Sequence, residues 1–235
     1  MSSSAIIKNV ISKYNANELI LASEVFKNKL VGKMTEAAYY KALERMCKAG
    51  ELVKIAKGTY HLPKIGKYGL IPPSEKEIIE SFTENYKGTV IGYSLYNSLK
   101  LTTQISKTIN ILTANIESEI KTIRNIIIHH AQMSYTEDVK NMIHAMEVLQ
   151  NFSKIQDLNY NYFLEYTKQI AENFSEKAFE QVVENKNYKK STIAFLQEIL
   201  NFHGTENKLN MYLSSLSEYK HPKMEELYEI ARVSK

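Results

Sequence analysis

A helical period that stops at a glycine and turns into strand chemistry two residues later constrains this chain more than any other feature. In the run Met34 to Pro63, MTEAAYYKALERMCKAGELVKIAKGTYHLP, Tyr39, Ala42, Leu43 and Met46 stand at i, i+3, i+4 and i+7, the spacing of a buried helical stripe. Thr35 is positioned to cap that helix and Gly50 to end it in the left-handed conformation. Beyond Gly50, Leu52-Val53-Lys54-Ile55 and Thr59-Tyr60-His61-Leu62 are β-prone and flank a Lys57-Gly58 turn, a hairpin signal. A helix that runs straight into a hairpin is the second half of a winged helix-turn-helix, in which the helix enters a DNA groove.

The preceding residues fit the same order. Ile6, Ile7, Val10, Ile11 and Tyr14 form one amphipathic face, with Ser4 as its cap, and Asn15 and Asn17 break the period. Glu18–Leu21 reads as a short strand, and Ser23 as the cap of a second helix that turns Val25 and Phe26 inward and ends near Gly32. From Pro63 to Pro73 the chain is rich in Gly and Pro and follows neither period, so it reads as a linker or an ordered crossing. The expected domains are therefore 1–66, a winged-helix DNA-binding domain, and 67–235, with an α/β part over 67–134 and a helical part over 135–235.

Ser74 and Glu77 have the spacing of a capping box for a helix reaching about Asn85. Thr89–Gly92 and Thr108–Thr113 read as strands around a short Tyr93–Leu99 helix. Ile120–Ile123 and the Ile126-Ile127-Ile128 run read as a hairpin about Arg124-Asn125, the isoleucines suggesting burial on both faces. From Tyr135 the period is helical: Val139, Met142, Ile143, Met146 and Leu149; Phe163, Tyr166, Ile170 and Phe174; Phe179, Val182 and Val183; Ile193, Leu196 and Leu200. Helices over Leu209–Leu216 and Glu225–Val233, the last with Pro222 in its first turn, complete the reading. The fold class is α+β: an N-terminal winged helix-turn-helix, a central small β-sheet with helices, and a C-terminal α-helical bundle.

Charge divides the chain in the same place. Residues 1–67 hold 12 Lys/Arg against 5 Glu, a net of +7, and residues 68–235 hold 18 against 21, a net of −3. A basic module attached to a mildly acidic one is the footprint of a nucleic-acid binder with a second task. Tyr40, Lys41, Glu44 and Arg45 lie off the buried stripe and are expected to face the major groove. Lys54 and Lys57 on the wing are expected to meet phosphates, and Thr35, Glu36 and Lys48 complete the DNA-binding set. Glu36 and Glu44 among the basic residues keep open the alternative, a winged-helix protein-interaction adaptor without DNA specificity.

Catalytic chemistry has little to stand on. The only aspartates are Asp138 and Asp157, and a lone Glu137-Asp138 pair at a helix start reads as a dipole-complementing cap. His129 and His130 are adjacent and point to opposite faces of a strand, and the other four histidines have no Cys or His at ligand spacing. The single cysteine, Cys47, reads as a small core residue. Asn159-Tyr160-Asn161-Tyr162-Phe163 reads as ordinary core and rim. No catalytic residue, metal or cofactor is expected. No apolar run approaches the ~18 residues that span a bilayer, and Ser2–Tyr14 lacks a signal-peptide cleavage site, so a cytoplasmic protein without a membrane partner is expected.

Two blocks resemble the AbiEi-like antitoxins of bacterial abortive-infection, or type IV toxin–antitoxin, systems. Lys41-Ala42-Leu43-Glu44-Arg45-Met46, continuing through Ala49-Gly50-Glu51-Leu52 to Lys57-Gly58-Thr59-Tyr60, is similar to that family's recognition helix and wing. Tyr96-Asn97-Ser98-Leu99, Leu101-Thr102-Thr103-Gln104 and Asn110-Ile111-Leu112-Thr113 resemble its next segment. The chain departs from the pattern at Met46 (usually Leu), Lys57 (commonly Arg) and Lys100 (usually Gly). The resemblance implies an autorepressor that binds double-stranded DNA at inverted repeats in its own promoter. It also implies a C-terminal domain that counters a cognate nucleotidyltransferase toxin functionally, without requiring stable contact.

Overall fold

The computed structural model describes residues 3–16 and 18–233; the expected Asn17 break lies outside the described residues, and Ser4, expected as a cap, is the second residue of the first helix, which starts earlier than its apolar stripe announces. The chain is mixed α+β and divides into two compact units, 1–84 with Thr122–Arg124, and 85–121 with 125–235.

In the first unit, α1 (Ser3–Ile11) buries Ile7 and Ile11. After β1 (Ile20–Leu21), α2 (Ala22–Val25) runs directly into a π-helical turn, Phe26–Leu30, closed by a bond from Val31 N to Phe26 O. Ser23 is not the cap: the helix begins one residue earlier, with Leu21 in the capping position and no side-chain cap. Strand β1 feeds the helix without a turn, leaving no room for one. Then follow α3 (Glu36–Lys48), β2 (Val53–Ala56) and β3 (Thr59–His61). The sheet order is β1-β3-β2, antiparallel throughout, with Ile20 opposite Tyr60 and Val53 opposite His61. Ile7, Ile11, Leu30, Tyr39, Leu43 and Leu52 centre its core.

The Pro63–Pro73 crossing is ordered, and most of it is a second hairpin, β4 (Lys64–Gly66) with β5 (Gly69–Ile71). The first unit therefore continues past residue 66, through α4 (Glu75–Thr83), to Glu84. The capping box that opens α4 is complete: Glu77 N donates to Ser74 Oγ at 3.2 Å and Ser74 N to Glu77 Oε2 at 2.6 Å. Within the same unit Arg124 Nη1 donates to the Pro73 carbonyl at 2.8 Å.

In the second unit, β6 (Gly88–Ile91), β7 (Ile109–Thr113) and β9 (Ile126–His130) build a sheet in the order β6-β7-β9, with α5 (Tyr93–Ser98) after β6; of the next strand, β8 (Ile120–Ile123), only Ile120 and Lys121 belong to this unit. Strands β6 and β7 are antiparallel, but β7 and β9 run parallel, Ile111 beside Ile128. Ile126 and Ile128 are buried, while Ile127 between them is only half-buried. Helices α6 (Glu137–Asn151), α7 (Tyr160–Glu172), α8 (Glu176–Asn185), α9 (Lys190–Phe202) and α10 (Met224–Val233) share one core with the sheet, around Met146, Phe163, Phe179 and Leu196. Leu209–Tyr212 is a single 3-10 turn instead of a helix, and Pro222 precedes α10 by two residues instead of lying in its first turn.

Candidate functional site

The candidate surface is built on α3. Thr35 Oγ1 accepts from Ala38 N at 3.3 Å, so its hydroxyl oxygen is committed to the cap, with Glu36 in the first turn where a carboxylate opposes the helix dipole. At the other end Gly50, with φ +73°, lets Glu51 N reach Met46 O and Gly50 N reach Cys47 O, a Schellman closure. Tyr39, Ala42, Leu43 and Met46 are all buried. Lys41, Glu44, Arg45 and Lys48 are exposed on the opposite side, and Lys41, Arg45 and Lys48 follow one another at i, i+4 and i+7.

Two details refine that face. Tyr40 does not stand free on it: the residue is half-buried against the first unit's core, its ring 5.4 Å from that of Tyr39. Residue 40 adjoins the buried stripe, and a tyrosine there gains more from packing than from hydration. Lys48 Nζ meets Glu44 Oε1 at 2.9 Å, and this hydrogen bond holds the exposed Glu44 carboxyl below its usual pKa.

The hairpin after α3 places Lys54 and Lys57 in solvent. A register shift between Lys54 and Ala56 brings Ala56 opposite Thr59, leaving Lys57 and Gly58 as a two-residue turn, with Gly58 at φ +68°. Cys47 is half-buried at the core margin, and burial pushes its thiol pKa up, which disfavours a reactive thiolate.

The second unit gathers polar groups that the sequence reading did not connect. Glu147, in the buried stripe of α6, ion-pairs with Lys186 and accepts from the Tyr188 hydroxyl at 3.3 Å. Burial first, then the Glu147 charge, raises the Tyr188 pKa well above its ordinary value. The one signal in the sequence was a glutamate between Met146 and Val148, where the period calls for an apolar residue. His129 Nε2 lies 3.1 Å from Asn110 Oδ1. A separate cavity of about 390 Å³ is lined by Asn97, Lys100, Thr102, Asp157, Asn159 and Tyr162. Lys100 and Asp157 both adopt left-handed backbone, with φ +60° and +51°. Asn159 caps α7 and Phe163 is fully buried, while Tyr162 is exposed. Glu137 and Asp138 occupy the first turn of α6, where Glu137 pairs with Lys140.

Among the described residues no three His, Cys, Asp or Glu side chains come together as a metal site, and no helix is long and apolar enough to cross a membrane. The profile of a family of unknown function, DUF6088, matches residues 7–170, which include α3, both hairpins and the whole sheet of the second unit. The chain belongs to DUF6088. The match ends inside α7, so α8 to α10 lie outside the part of this DUF6088 chain that the profile describes. No curated protein matches it. The crystal structure of the RV2827C protein from Mycobacterium tuberculosis is similar over 86% of this chain and 76% of its own, with 9% identity and a TM-score of 0.41, too loose a likeness to carry an argument.

Proposed function

We propose that this chain is a DNA-binding antitoxin and the autorepressor of a type IV toxin–antitoxin operon, without catalytic activity of its own. In this reading α1 to β3 are a winged helix-turn-helix, α3 is the recognition helix, and α6 to α10 are the helical bundle of an antitoxin domain acting in the cytoplasm. The observation that carries it is the exposed stripe Lys41, Arg45 and Lys48, backed by a fully buried stripe and followed at once by a hairpin bearing Lys54 and Lys57.

The AbiEi-like resemblance gains support at Lys100. That family's pattern has glycine at this position, and here the residue is left-handed, the conformation glycine serves best. The toxin is a separate nucleotidyltransferase, countered functionally and without a requirement for stable contact.

A mobility shift with DNA from upstream of the chain's own gene, against random duplex, tests the reading. The wild type prefers the upstream fragment, with a log–log salt slope of about 0.9 per phosphate contact. The folded Lys41→Glu/Arg45→Glu variant loses that preference. Co-expression with a nucleotidyltransferase from the adjacent gene tests the antitoxin half by rescue of growth. The Glu44–Lys48 pair, which neutralises part of the stripe, favours the second reading of a protein-interaction adaptor. Equal binding to upstream and random DNA would establish that reading instead.

A further inference from the structure

We propose that the β4–β5 hairpin is a DNA arm, whose Lys67-Tyr68 tip enters the minor groove of the duplex held by α3. The inference rests on the DNA-binding reading of the first unit.

The hairpin is unusual in what it leaves in water. Ile65 and Leu70 are cross-strand partners on one face, 81% and 51% exposed, and Tyr68 at the tip is 94% exposed. An isolated two-stranded ribbon with its apolar face in solvent is marginal in itself, and such a face marks a binding surface. Charge selects the occupant. The hairpin carries Lys64 and Lys67 and no acid; Lys64 at its base lies near the Glu77 carboxyl, so Lys67 at the tip is the charge that an occupant meets first, with Lys54 and Lys57 on the preceding hairpin. Two copies pairing through this hairpin would bring their Lys67 ammonium groups together with no carboxylate from either hairpin to offset them. A polyanion removes that difficulty.

The side chains also select the kind of contact. Phosphate oxygens are met by donors, which Ile65 and Leu70 lack; the apolar parts of DNA are the deoxyribose walls and the base faces, reached only inside a groove. Directly beneath the tip, Gly66 pairs with Gly69; neither residue has a side chain of its own, and only the Ile71 side chain, folded over Gly66, covers the neck on one face. Even so, the minor groove is only about 6 Å wide, so that Lys67 and Tyr68 enter while the strands stay outside. Seating them opens the groove and bends the duplex. Only Leu62 and Pro63 separate β3 from β4, so the arm is tethered by two residues to the hairpin that follows α3.

The test uses the full chain and a short duplex from upstream of its own gene, labelled at both ends for energy transfer, with netropsin as a minor-groove competitor. Wild type is expected to bend the duplex and to be displaced by netropsin. Lys67→Ser/Tyr68→Ser and Ile65→Thr/Leu70→Thr, at unchanged melting temperature, are expected to bind about tenfold more weakly and to lose both signatures. Lys41→Glu/Arg45→Glu loses site preference but keeps residual binding sensitive to netropsin. If wild type binds the upstream duplex and the hairpin variants bind and bend it equally, the arm is overturned while the DNA reading stands. It is also overturned if the variants change sedimentation from oligomer to monomer with DNA affinity per protomer unchanged, which makes the hairpin a contact between copies. Failure of the wild type to bind any duplex removes the DNA reading and the arm together.

Discussion

The hydroxyl oxygen of Thr89 on β6 and Nε2 of His144 on α6 lie 2.6 Å apart. Burial, reinforced by the Lys140 charge, lowers the His144 pKa to about 4, against about 6.5 for a free ring. Below pH 6.5 the unfolded chain therefore takes up a proton that the folded chain refuses. Stability is full above that pH, falls as the pH drops towards 4, and levels off below. The difference is worth about 3 kcal/mol over the whole window. Urea unfolding at pH 7 and pH 4.5 should show this loss in the wild type and a clearly smaller one in His144→Asn; equal losses would remove His144 as the cause.

Breaking the Glu147–Lys186 pair from the lysine side should cost about 3–5 kcal/mol, because it strands a carboxylate inside the second unit beside the neutral Tyr188 hydroxyl. Lys186→Met, measured by denaturant unfolding, tests this. The double variant Glu147→Gln/Lys186→Met should recover most of the loss, since it removes the stranded charge. A double variant as unstable as the single one would show that the lysine stem, not its charge, holds the site.

At Lys100 the backbone, not the ammonium, sets what can be tolerated. With φ at +60°, Lys100→Gly should leave stability within about 0.5 kcal/mol of wild type, as relief of strain offsets the flexibility of glycine in the unfolded chain. Lys100→Val should cost about 1–2 kcal/mol, since a β-branched residue fits the left-handed region worst. Melting temperatures of the two variants in the opposite order would contradict this.

Tyr39→Phe is expected to keep or raise stability by up to about 1 kcal/mol. The Tyr39 hydroxyl is buried with no hydrogen-bond partner among the described residues, and its ring stacks on Phe26 with centroids 5.6 Å apart, a contact phenylalanine retains. A loss above about 1 kcal/mol in thermal unfolding would point to a partner such as a bound water.

Local signals are legible where burial repeats with the period of the element. The α3 stripe, the Ser74–Glu77 box and the turn at Arg124-Asn125 stand where spacing and capping chemistry put them. Features that depend on distant partners were not legible. The parallel pairing of β7 with β9 depends on matching two strands across an intervening one, and nothing in either strand alone announces it. The β4–β5 hairpin escaped because Gly66, Gly69 and the prolines around it look like a crossing, and its apolar side chains face water rather than a core. Tyr40 stands off the stripe in the sequence, yet a large ring one residue away bends back onto the core. At the candidate surface the lysines and Arg45 are readable as exposed positions, whereas the meeting of Lys100 with Asp157 around one cavity is not, because they stand 57 positions apart in the sequence.

The bond from Arg124 to the Pro73 carbonyl bears on how such a chain can be recombined. Three residues of the first unit, Thr122–Arg124, are encoded well downstream of Glu84, where its main segment ends. A gene cut after Glu84 and spliced to a foreign partner would lose that returning segment and leave the Pro73 carbonyl without its donor. Inheritance as one piece, not exchange of halves, is what this threading favours.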